Sequence, residues 1–359
     1  MSERPRLKML EERRSALETC SFCPKLSRAA CPISDAEASD TVTPWGKVSA
    51  TYDVARGAAA ESAEHAALAW ACSGCLHCRE LCELKNPVAD TLIAARREYT
   101  ERGLAPAASD GVRENFPIRL KQLERAMEPL RELSAHRADA PTAVLLGCDY
   151  ALRLPAESRD AIRVLNELFG PLRLLGGCCG YPLEVAGDPE GADVHRRALE
   201  REAAGARRWI AVDSGCAYRL RAGRAEPFAE AVTSRLASGA RRELSPPSAR
   251  RLRYHDPCLL GRGLGSYDAP RQLVAKASSN GVEEFSYRRE RARCSGAGAL
   301  VPLTRPETAV AIAKGRVAEH ERLGGGTIVT ACAGSLRSFR KQGADAVDLA
   351  TVVRWLVLP

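Results

Sequence analysis

The pattern of apolar and polar positions divides the chain into a helical first third and a longer region of mixed structure. Residues 3–19 carry sparse apolar positions at helical spacing and are predicted to form a charged helix. Residues 83–135 are predicted to be mostly helical, with a polar break near Pro106 and with Asp110 as a cap of the following helix. The first third is therefore expected to be an all-helical domain.

From residue 141 onward, short apolar runs alternate with helical patterns. Strands are predicted at 142–147, 173–175, 209–212, 252–254 and 327–330 and just before Cys294, and helices at 157–169, 189–206, 270–279 and from Pro306. This alternation is typical of parallel sheets joined by crossover helices. The predicted fold class is thus α + α/β.

The mixed region repeats itself along the chain. Thirty-six residues separate the pair 178/179 from Cys216, and thirty-six separate the pair 294/295 from Cys332. This equality indicates a duplicated unit, with residues 241–250 as the linker between copies. The predicted domains are 1–134, helical; 141–243, first α/β copy; and 250–359, second α/β copy.

Fourteen cysteines are the unusual feature of the composition. The first residues have no apolar core of a secretory leader, and no apolar run is long enough to span a bilayer, so a reducing cytoplasm is expected. There, clustered cysteines indicate metal or redox chemistry. The net charge of +8 comes from scattered basic residues without aromatic interleaving. We therefore expect no nucleic-acid partner, whereas an acidic protein partner is compatible with this charge.

The segment Cys72–Cys82 has the spacing C-x2-C-x2-C-x3-C. This spacing places three thiolates around one iron–sulfur cube and directs the fourth to a second cluster. Upstream, Cys20, Cys23 and the Cys-Pro pair beginning at Cys31 supply the other half of the pattern. The crossover rule then gives one complete 4Fe-4S site, made of Cys31, Cys72, Cys75 and Cys78.

The second predicted site consists of Cys20, Cys23 and Cys82, with Ser27 at the expected fourth position. It is predicted to hold a three-iron cluster, a labile four-iron cluster or nothing, and the alternative role for Ser27 is a plain helix N-cap. His77, inside the cluster loop, is expected to donate a hydrogen bond to sulfide rather than to replace a ligand.

Four further cysteines, 148, 216, 258 and 332, lie just beyond the ends of predicted strands, and the pair 178/179 lies in a glycine-rich turn. Ligands collect at this edge of open α/β sheets. Each copy can therefore gather thiolates from three loops onto one metal centre. The glycines of 261–265 also fit a dinucleotide loop, but they more simply let backbone pass close to a cluster.

These residues resemble a known family. Cys148, Cys178-Cys179-Gly180 and Cys216 look like one CCG cysteine-rich domain, and the His-Asp-Pro-Cys run ending at Cys258, with Cys294 and Cys332, looks like a second. Two such domains behind a two-cluster ferredoxin domain resemble the proteins of the heterodisulfide reductase HdrD type and the iron–sulfur subunits of glycolate, lactate and glycerol-3-phosphate dehydrogenases. The resemblance implies electron-passing 4Fe-4S clusters and a non-cubane 4Fe-4S cluster, or another metal such as zinc, in the CCG domains.

The chain departs from that family at four positions. Ser295, Ser335, Arg219 and Ser27 stand where the pattern has cysteine. The first CCG centre keeps four ligands, while the second keeps Cys258, Cys294 and Cys332 and is expected to be degenerate. His255 and Asp256 are weak candidates for proton relay, with a structural hydrogen-bonding role as the alternative. No other cofactor-binding residues are predicted.

The expected function is an electron-transfer subunit of an oxidoreductase, whose own turnover of a substrate the sequence leaves open. A flavoprotein dehydrogenase is the expected partner, and any membrane association is expected to be peripheral, through such a partner. The alternatives are a degenerate metal-binding scaffold or sensor that retains one structural cluster, and a zinc-binding module.

Overall fold

The computed structural model describes residues 7–24, 27–134, 136–223, 225–239, 244–245 and 247–358. Over these ranges the chain forms two compact units. The first unit contains the described residues up to Phe116, with Pro182–Ala192 and Arg293–Arg316; the second contains Pro117–Tyr181, Asp193–Ala292 and the described residues from Val317. The predicted division into three domains stays a prediction.

The N-terminal region is helical, as predicted. Its helices are α1 (Met9–Ser21), α2 (Pro32–Glu37), α3 (Pro44–Ala55), α4 (Ala63–Trp70), α5 (His77–Leu81), α6 (Val88–Glu101), α7 (Ala107–Glu114) and α8 (Phe116–Leu133), with a 3₁₀ turn at Arg28–Ala30. The predicted cap at Asp110 is wrong, because α7 begins after Pro106 and Asp110 lies in its first turn. Residues 3–6 of the predicted first helix lie outside the described ranges.

Local sequence explains where these helices begin. The Thr43 hydroxyl accepts a hydrogen bond from the Gly46 amide, and Pro44 occupies the first turn of α3, where its missing N–H costs nothing. Ser62 caps α4 in the same way, through the His65 amide. Helix α4 then ends just before the cysteine loop, so its position sets where that loop starts.

Arg96 of α6 is a fully buried residue that ties the first unit together. Its guanidinium donates to the carbonyls of Ala69 at 3.1 Å, Cys72 at 2.7 Å, Val185 at 2.8 Å and Ala299 at 3.1 Å. Four carbonyls from separate segments thus share one planar donor, and two of the segments come from late in the chain. The cysteine loop is one of the segments that Arg96 fixes.

We expect Arg96→Met to destabilise the protein by about 3–5 kcal/mol, because each buried carbonyl left without a donor costs about 1–3 kcal/mol. Urea denaturation measures this. Arg97→Met is the matched control on the same helix, since Arg97 is half exposed and pairs only with Glu101 and Glu190; its cost should stay within about 0.5 kcal/mol. Equal losses in the two variants would contradict a special role for Arg96.

The first sheet lies in the second unit and is parallel throughout. Its strands β1 (Thr142–Leu145), β2 (Leu172–Leu174), β3 (Arg208–Ala211) and β4 (Glu226–Pro227) stand in the order β2-β1-β3-β4. The helices of this part of the chain are α9 (Cys148–Arg153), α10 (Pro155–Phe169), α11 (Tyr181–Val185), α12 (Pro189–Glu202), α13 (Ser214–Arg219) and α14 (Phe228–Ala237). Strand β1 is buried along its whole length, as expected of a parallel strand covered on both faces.

The second sheet, also in the second unit, has the same strand order as the first. Strands β5 (Leu252–Tyr254), β6 (Glu283–Glu284), β7 (Thr327–Thr330) and β8 (Ala346–Asp348) are arranged β6-β5-β7-β8, again all parallel. The remaining helices are α15 (Cys258–Leu264), α16 (Asp268–Ala277), α17 (Val301–Thr304), α18 (Pro306–Arg322), α19 (Ala333–Lys341) and α20 (Leu349–Val357). The predicted α + α/β class is confirmed at this level.

One predicted strand is wrong. A short strand was expected directly before Cys294, but that residue follows a 3₁₀ turn at Arg289–Arg291, and the corresponding strand is β6, about ten residues earlier. Arginine-rich sequence at 288–293 leaves too few apolar residues there for a buried parallel strand. None of the described helices is long and apolar enough to cross a membrane.

A buried hydrogen bond links the two sheets within the second unit. The Tyr150 hydroxyl, from α9, donates to Asp348 at 2.5 Å, and the other Asp348 oxygen caps α20 through the Ala350 amide at 2.8 Å. Burial raises the pKa of Asp348 to about 7, although these two donors act to lower it. The folded protein therefore holds a proton at Asp348 that the unfolded chain releases above about pH 4.

We expect Asp348 to make the protein less stable as pH rises from about 4 to about 7, because the buried carboxyl is forced to ionise only in the folded state. The full cost is at most about 4 kcal/mol. Asp348→Asn keeps a cap and a partner for Tyr150 and should remove this part of the pH dependence in urea titrations at pH 5 and 8. Asp139→Asn, an exposed surface change, is the control; parallel profiles for wild type and Asp348→Asn would contradict the assignment.

Candidate metal centres

The first unit brings four predicted ligands around one cavity. Cys72 and Cys75 lie on the loop between α4 and α5, and Cys78 lies in the first turn of α5. Cys31 comes from the end of the 3₁₀ turn before α2 and packs among buried apolar residues. All four line the same cavity, together with Lys47 of α3.

The conformation of the loop explains how residues so close in sequence can surround a cavity. Gly74 and Leu76 both have φ of +63°, in the left-handed region, which makes the loop turn tightly between the cysteines. Gly298 packs against this loop, where an added Cβ would lie 2.1 Å from the Ser73 carbonyl oxygen. The late segment of the first unit thus covers the loop closely and requires glycine at 298.

The four thiols affect each other electrostatically. Burial raises the pKa of Cys78 well above its ordinary value, and the neighbouring sulfurs of Cys75, Cys72 and Cys31 raise it further. Burial also raises the pKa of Cys72, although Lys47 and Arg96 act to lower it. A thiol set of this kind holds its protons until a metal replaces them, so metal binding here releases protons.

Lys47 is buried beside this set. Its ammonium donates to the Ala71 carbonyl at 2.7 Å and to Cys31 Sγ at 3.2 Å. Burial acts to lower the pKa of Lys47, but Cys31, Cys72 and Cys78 outweigh it, so its pKa lies above the ordinary value. Four soft ligands around one buried cavity with an adjacent cation fit a 4Fe-4S cluster, which takes four thiolates and supplies one-electron redox chemistry when bound.

The second predicted set also converges within the first unit. Cys20 lies in the last turn of α1, and Cys82 ends α5. Burial raises the pKa of Cys20 to about 12, and the sulfurs of Cys23 and Cys82 raise it as well, which places the three thiols close together. Ser27 has a left-handed backbone at the start of the 3₁₀ turn, and its hydroxyl caps nothing there, so the alternative role as a plain N-cap is not supported.

The first sheet gathers the third predicted set at the carboxyl ends of its strands. Cys148 follows β1, the pair Cys178 and Cys179 follows β2, and Cys216 follows β3. Cys178 Sγ lies 3.8 Å from Cys148 Sγ, and Cys179 hydrogen-bonds to both Cys178 and Cys216. Four buried thiols thus form one continuous row, from three loops that the parallel sheet brings to one edge.

The backbone approaches this row closely at Gly147. Its φ is +98°, and an added Cβ would lie 2.8 Å from the Asp213 side chain and 3.3 Å from Cys216 Sγ. Glycine is therefore required for the β1 loop to reach the β3 loop. Asp213 accepts hydrogen bonds from the amides of Gly215 and Ala333, and burial raises its pKa to about 6.

A second cation accompanies this centre. The Arg119 guanidinium donates to Cys148 Sγ at 3.1 Å and to Asp149 at 2.7 Å. Cys148 has a pKa well above its ordinary value because of its hydrogen bond with Cys178 and its burial, and Arg119 acts to lower it. Arg119 therefore favours the thiolate form that binds metal.

The fourth predicted set is divided between the units. Cys258 and Cys332 follow β5 and β7 in the second unit, whereas Cys294 belongs to the first unit, where its Sγ lies 3.7 Å from the Ser73 hydroxyl. Neither unit contains all three cysteines. Burial raises the pKa of Cys332, while Ser335 and Ser214 act to lower it by hydrogen bonding.

Two of the replaced positions have partners of their own. Arg219 forms an ion pair with Asp193 at 2.5 Å, so its charge is balanced. Ser335, expected to be cysteine in the family pattern, is buried and hydrogen-bonded to Cys332. Both replacements therefore suit the folded chain without a metal at those positions.

The weak catalytic candidates contact structural groups. Asp256 forms a bidentate ion pair with Arg271 at 2.7 and 2.8 Å, and it also accepts from the Arg289 amide. His255 is buried against the rings of Phe285 and Phe339. These contacts favour the structural alternative, and proton relay stays a prediction. The glycines of 261–265 lie mostly within helix α15, which does not favour a dinucleotide loop.

The spacing of these groups bears on the kind of metal. Across the part of the chain that the structure describes, no three Cys, His, Asp or Glu side chains converge as one metal ion requires. Zinc binds all its ligands at a single point, whereas the thiolates of a cube bind different iron atoms and stand farther apart. The arrangement therefore favours polynuclear clusters over a single zinc ion.

Sequence reasoning did not find Lys47 or Arg119. Lys47 is the only basic residue between Arg28 and Arg56, which is the one signal that marked it. Arg119 lies in a helix rich in charged residues, where nothing in the spacing distinguishes it. Both act through contacts with cysteines distant in sequence.

The comparisons with known proteins agree with this geometry. Residues 252–340 match the family model of the CCG cysteine-rich domain. The chain is 26% identical over 316 residues to the D subunit of the dihydromethanophenazine:CoB–CoM heterodisulfide reductase of Methanosarcina barkeri, covering 80% of this chain and 75% of that protein. It is 25% identical over 313 residues to an uncharacterized iron–sulfur protein of Methanocaldococcus jannaschii, covering 79% and 61%.

A shorter similarity joins these two. Over 71 residues the chain is 41% identical to a probable membrane-anchored ferredoxin of Chromohalobacter salexigens, covering 20% of this chain and 10% of that protein. Together these matches confirm the predicted resemblance and the predicted cofactor class, iron–sulfur clusters. They leave the number and type of clusters to the proposal below.

Proposed function

We propose that the protein is an electron-transfer component of a flavin-linked or heterodisulfide reductase-like oxidoreductase. Its helical region holds a ferredoxin-type pair of sites, and its two sheets are two CCG cysteine-rich domains, the second degenerate. Electrons pass between the ferredoxin-type clusters and the centre at Cys148, Cys178, Cys179 and Cys216. The observation that carries the proposal is the cavity lined by Cys31, Cys72, Cys75 and Cys78.

The partner in this proposal is another subunit, and we favour a flavoprotein dehydrogenase. The M. barkeri relative is by name one subunit of a reductase, which supports a partner of some kind. The net charge of +8 favours an acidic docking surface on that partner. A cytoplasmic location suits fourteen cysteines kept as free thiols and stays a prediction.

A second candidate function is a scaffold or sensor that retains one structural cluster. The paired Arg219 and the hydrogen-bonded Ser335 favour it, because both positions are accommodated without metal. Under this alternative, only the site at Cys31, Cys72, Cys75 and Cys78 is occupied, and it does not change oxidation state in function.

Anaerobic purification followed by iron, sulfide and zinc analysis separates these possibilities, with EPR spectra recorded before and after dithionite reduction. Two or more reducible clusters support the electron-transfer proposal. One cluster that dithionite does not reduce supports the scaffold, and a colourless protein with stoichiometric zinc would contradict both.

A further inference from the structure

Lys47 is a buried cation whose position no metal ligand set requires. Only 2% of its surface is exposed, and it lies on α3, sixteen residues after Cys31. A buried ammonium is costly unless it is paired and hydrogen-bonded. Here its hydrogen bonds go to the Ala71 carbonyl and to Cys31 Sγ, and among the described residues no carboxylate forms an ion pair with it.

The partner that offsets the burial of Lys47 is therefore the thiolate set itself. Its ammonium lines the same cavity as Cys72, Cys75 and Cys78 and touches the fourth ligand at 3.2 Å. Charges interact more strongly in the protein interior than in water, because the effective dielectric constant there is lower. A fixed positive charge at this point stabilises whatever state of the site is more negative.

We propose that Lys47 sets the reduction potential of the cluster held by Cys31, Cys72, Cys75 and Cys78, raising it so that this cluster is preferred as an electron acceptor. The inference rests on the proposed function. The step is the transfer of one electron from a one-electron donor; no bond forms or breaks, no proton moves, and the site becomes one charge more negative. Net charge and hydrogen bonds to sulfur are the means by which proteins tune such potentials.

The effect should differ between the two sites of the helical region. Lys47 hydrogen-bonds directly to a ligand of the first site, whereas it acts on Cys20 of the second site only through its charge. Removing Lys47 should therefore lower the potential of the first cluster more than that of the second. Lys47 is a positioning and tuning residue here, not a ligand.

The test is an EPR-monitored redox titration of the anaerobically purified full chain. The signal of the first cluster is identified as the one that Cys78→Ser lacks. We expect Lys47→Met to decrease the ratio of reduced to oxidised first cluster at least about tenfold at a fixed potential, which is about 59 mV for one electron. Lys47→Arg, which keeps the charge, should restore most of the wild-type ratio.

Lys85→Met is the matched control, because it removes the same charge from an exposed lysine near Cys82 that pairs with Glu80. It should leave the first cluster's ratio within about twofold of wild type, since exposed charges are screened. The inference is overturned if Lys47→Met leaves the ratio unchanged, if Lys85→Met changes it equally, or if Lys47→Arg behaves like Lys47→Met.

Lys47→Gln guards against a variant that does not assemble, because its amide still donates to the Ala71 carbonyl. If both neutral variants lose the cluster while Lys47→Arg keeps it, Lys47 serves assembly rather than potential, and the inference fails. Failure of the proposed function looks different: the wild-type chain itself would then show no reducible cluster.

Discussion

Cys78→Ser and Cys82→Ser should remove different clusters, although the two residues lie four positions apart at either end of one short helix. Cys78 lines the cavity with Cys31, Cys72 and Cys75, whereas Cys82 lies close to Cys20 and Cys23. We expect Cys78→Ser to lose about four iron atoms per chain and one EPR signal. Cys82→Ser should keep that signal and lose the iron of the second site.

The physical reason is that serine preserves size but not ligand strength. Its hydroxyl is much harder to deprotonate than a thiol, so a buried cluster loses a soft anionic ligand. Iron and sulfide per chain and EPR of the reduced proteins measure the outcome. The identical substitution on the same helix controls for any general effect on α5.

Two further variants test the crossover pairing. Cys31→Ser should match Cys78→Ser, and Cys23→Ser should match Cys82→Ser, although both pairs join residues more than forty positions apart. The pairing would be wrong if Cys31→Ser and Cys23→Ser gave the same losses. It would also be wrong if all four variants lost one common signal.

The sequence was sufficient for the parts of the sites that depend on local spacing. The tight spacing from Cys72 to Cys82 left few geometries open, and the structure places its first three cysteines on one cavity. The strand-end cysteines could be predicted as well, because parallel strands bring their carboxyl ends to one edge. Cys148, Cys178 and Cys216 meet there as expected.

What the sequence could not supply depends on contacts between distant segments. Burial of Lys47 follows from how α3 packs in the helical region, and the reach of Arg119 to Cys148 follows from how α8 lies in the second unit. The third ligand set of the second copy was proposed from spacing alone, yet Cys294 lies beside Ser73 in the first unit. Equal spacing reports common ancestry, whereas tertiary packing decides where a thiol lies.

The centre at the first sheet should depend most on Cys179, because that thiol connects the row from Cys148 and Cys178 to Cys216. We expect Cys179→Ser to weaken metal binding there by more than about 100-fold, since losing even an outer-shell partner costs about 10–100-fold. The measurement is iron and zinc per chain in a Cys78→Ser, Cys82→Ser background, where the remaining metal belongs to the sheet region. The same substitution also gives the first copy the serine that the second copy carries at 295.

Cys332→Ser in that background is the control, because Cys332 also follows a parallel strand in the second unit but lies outside the row of four. Its metal content should stay unchanged, and the metal retained identifies the centre as iron–sulfur or zinc. Full metal retention in Cys179→Ser, with the fold intact by circular dichroism, would mean that the row of thiols is not a ligand set. Equal loss in Cys332→Ser would instead mean that the centre extends to the second sheet, which then shares its metal rather than having lost it.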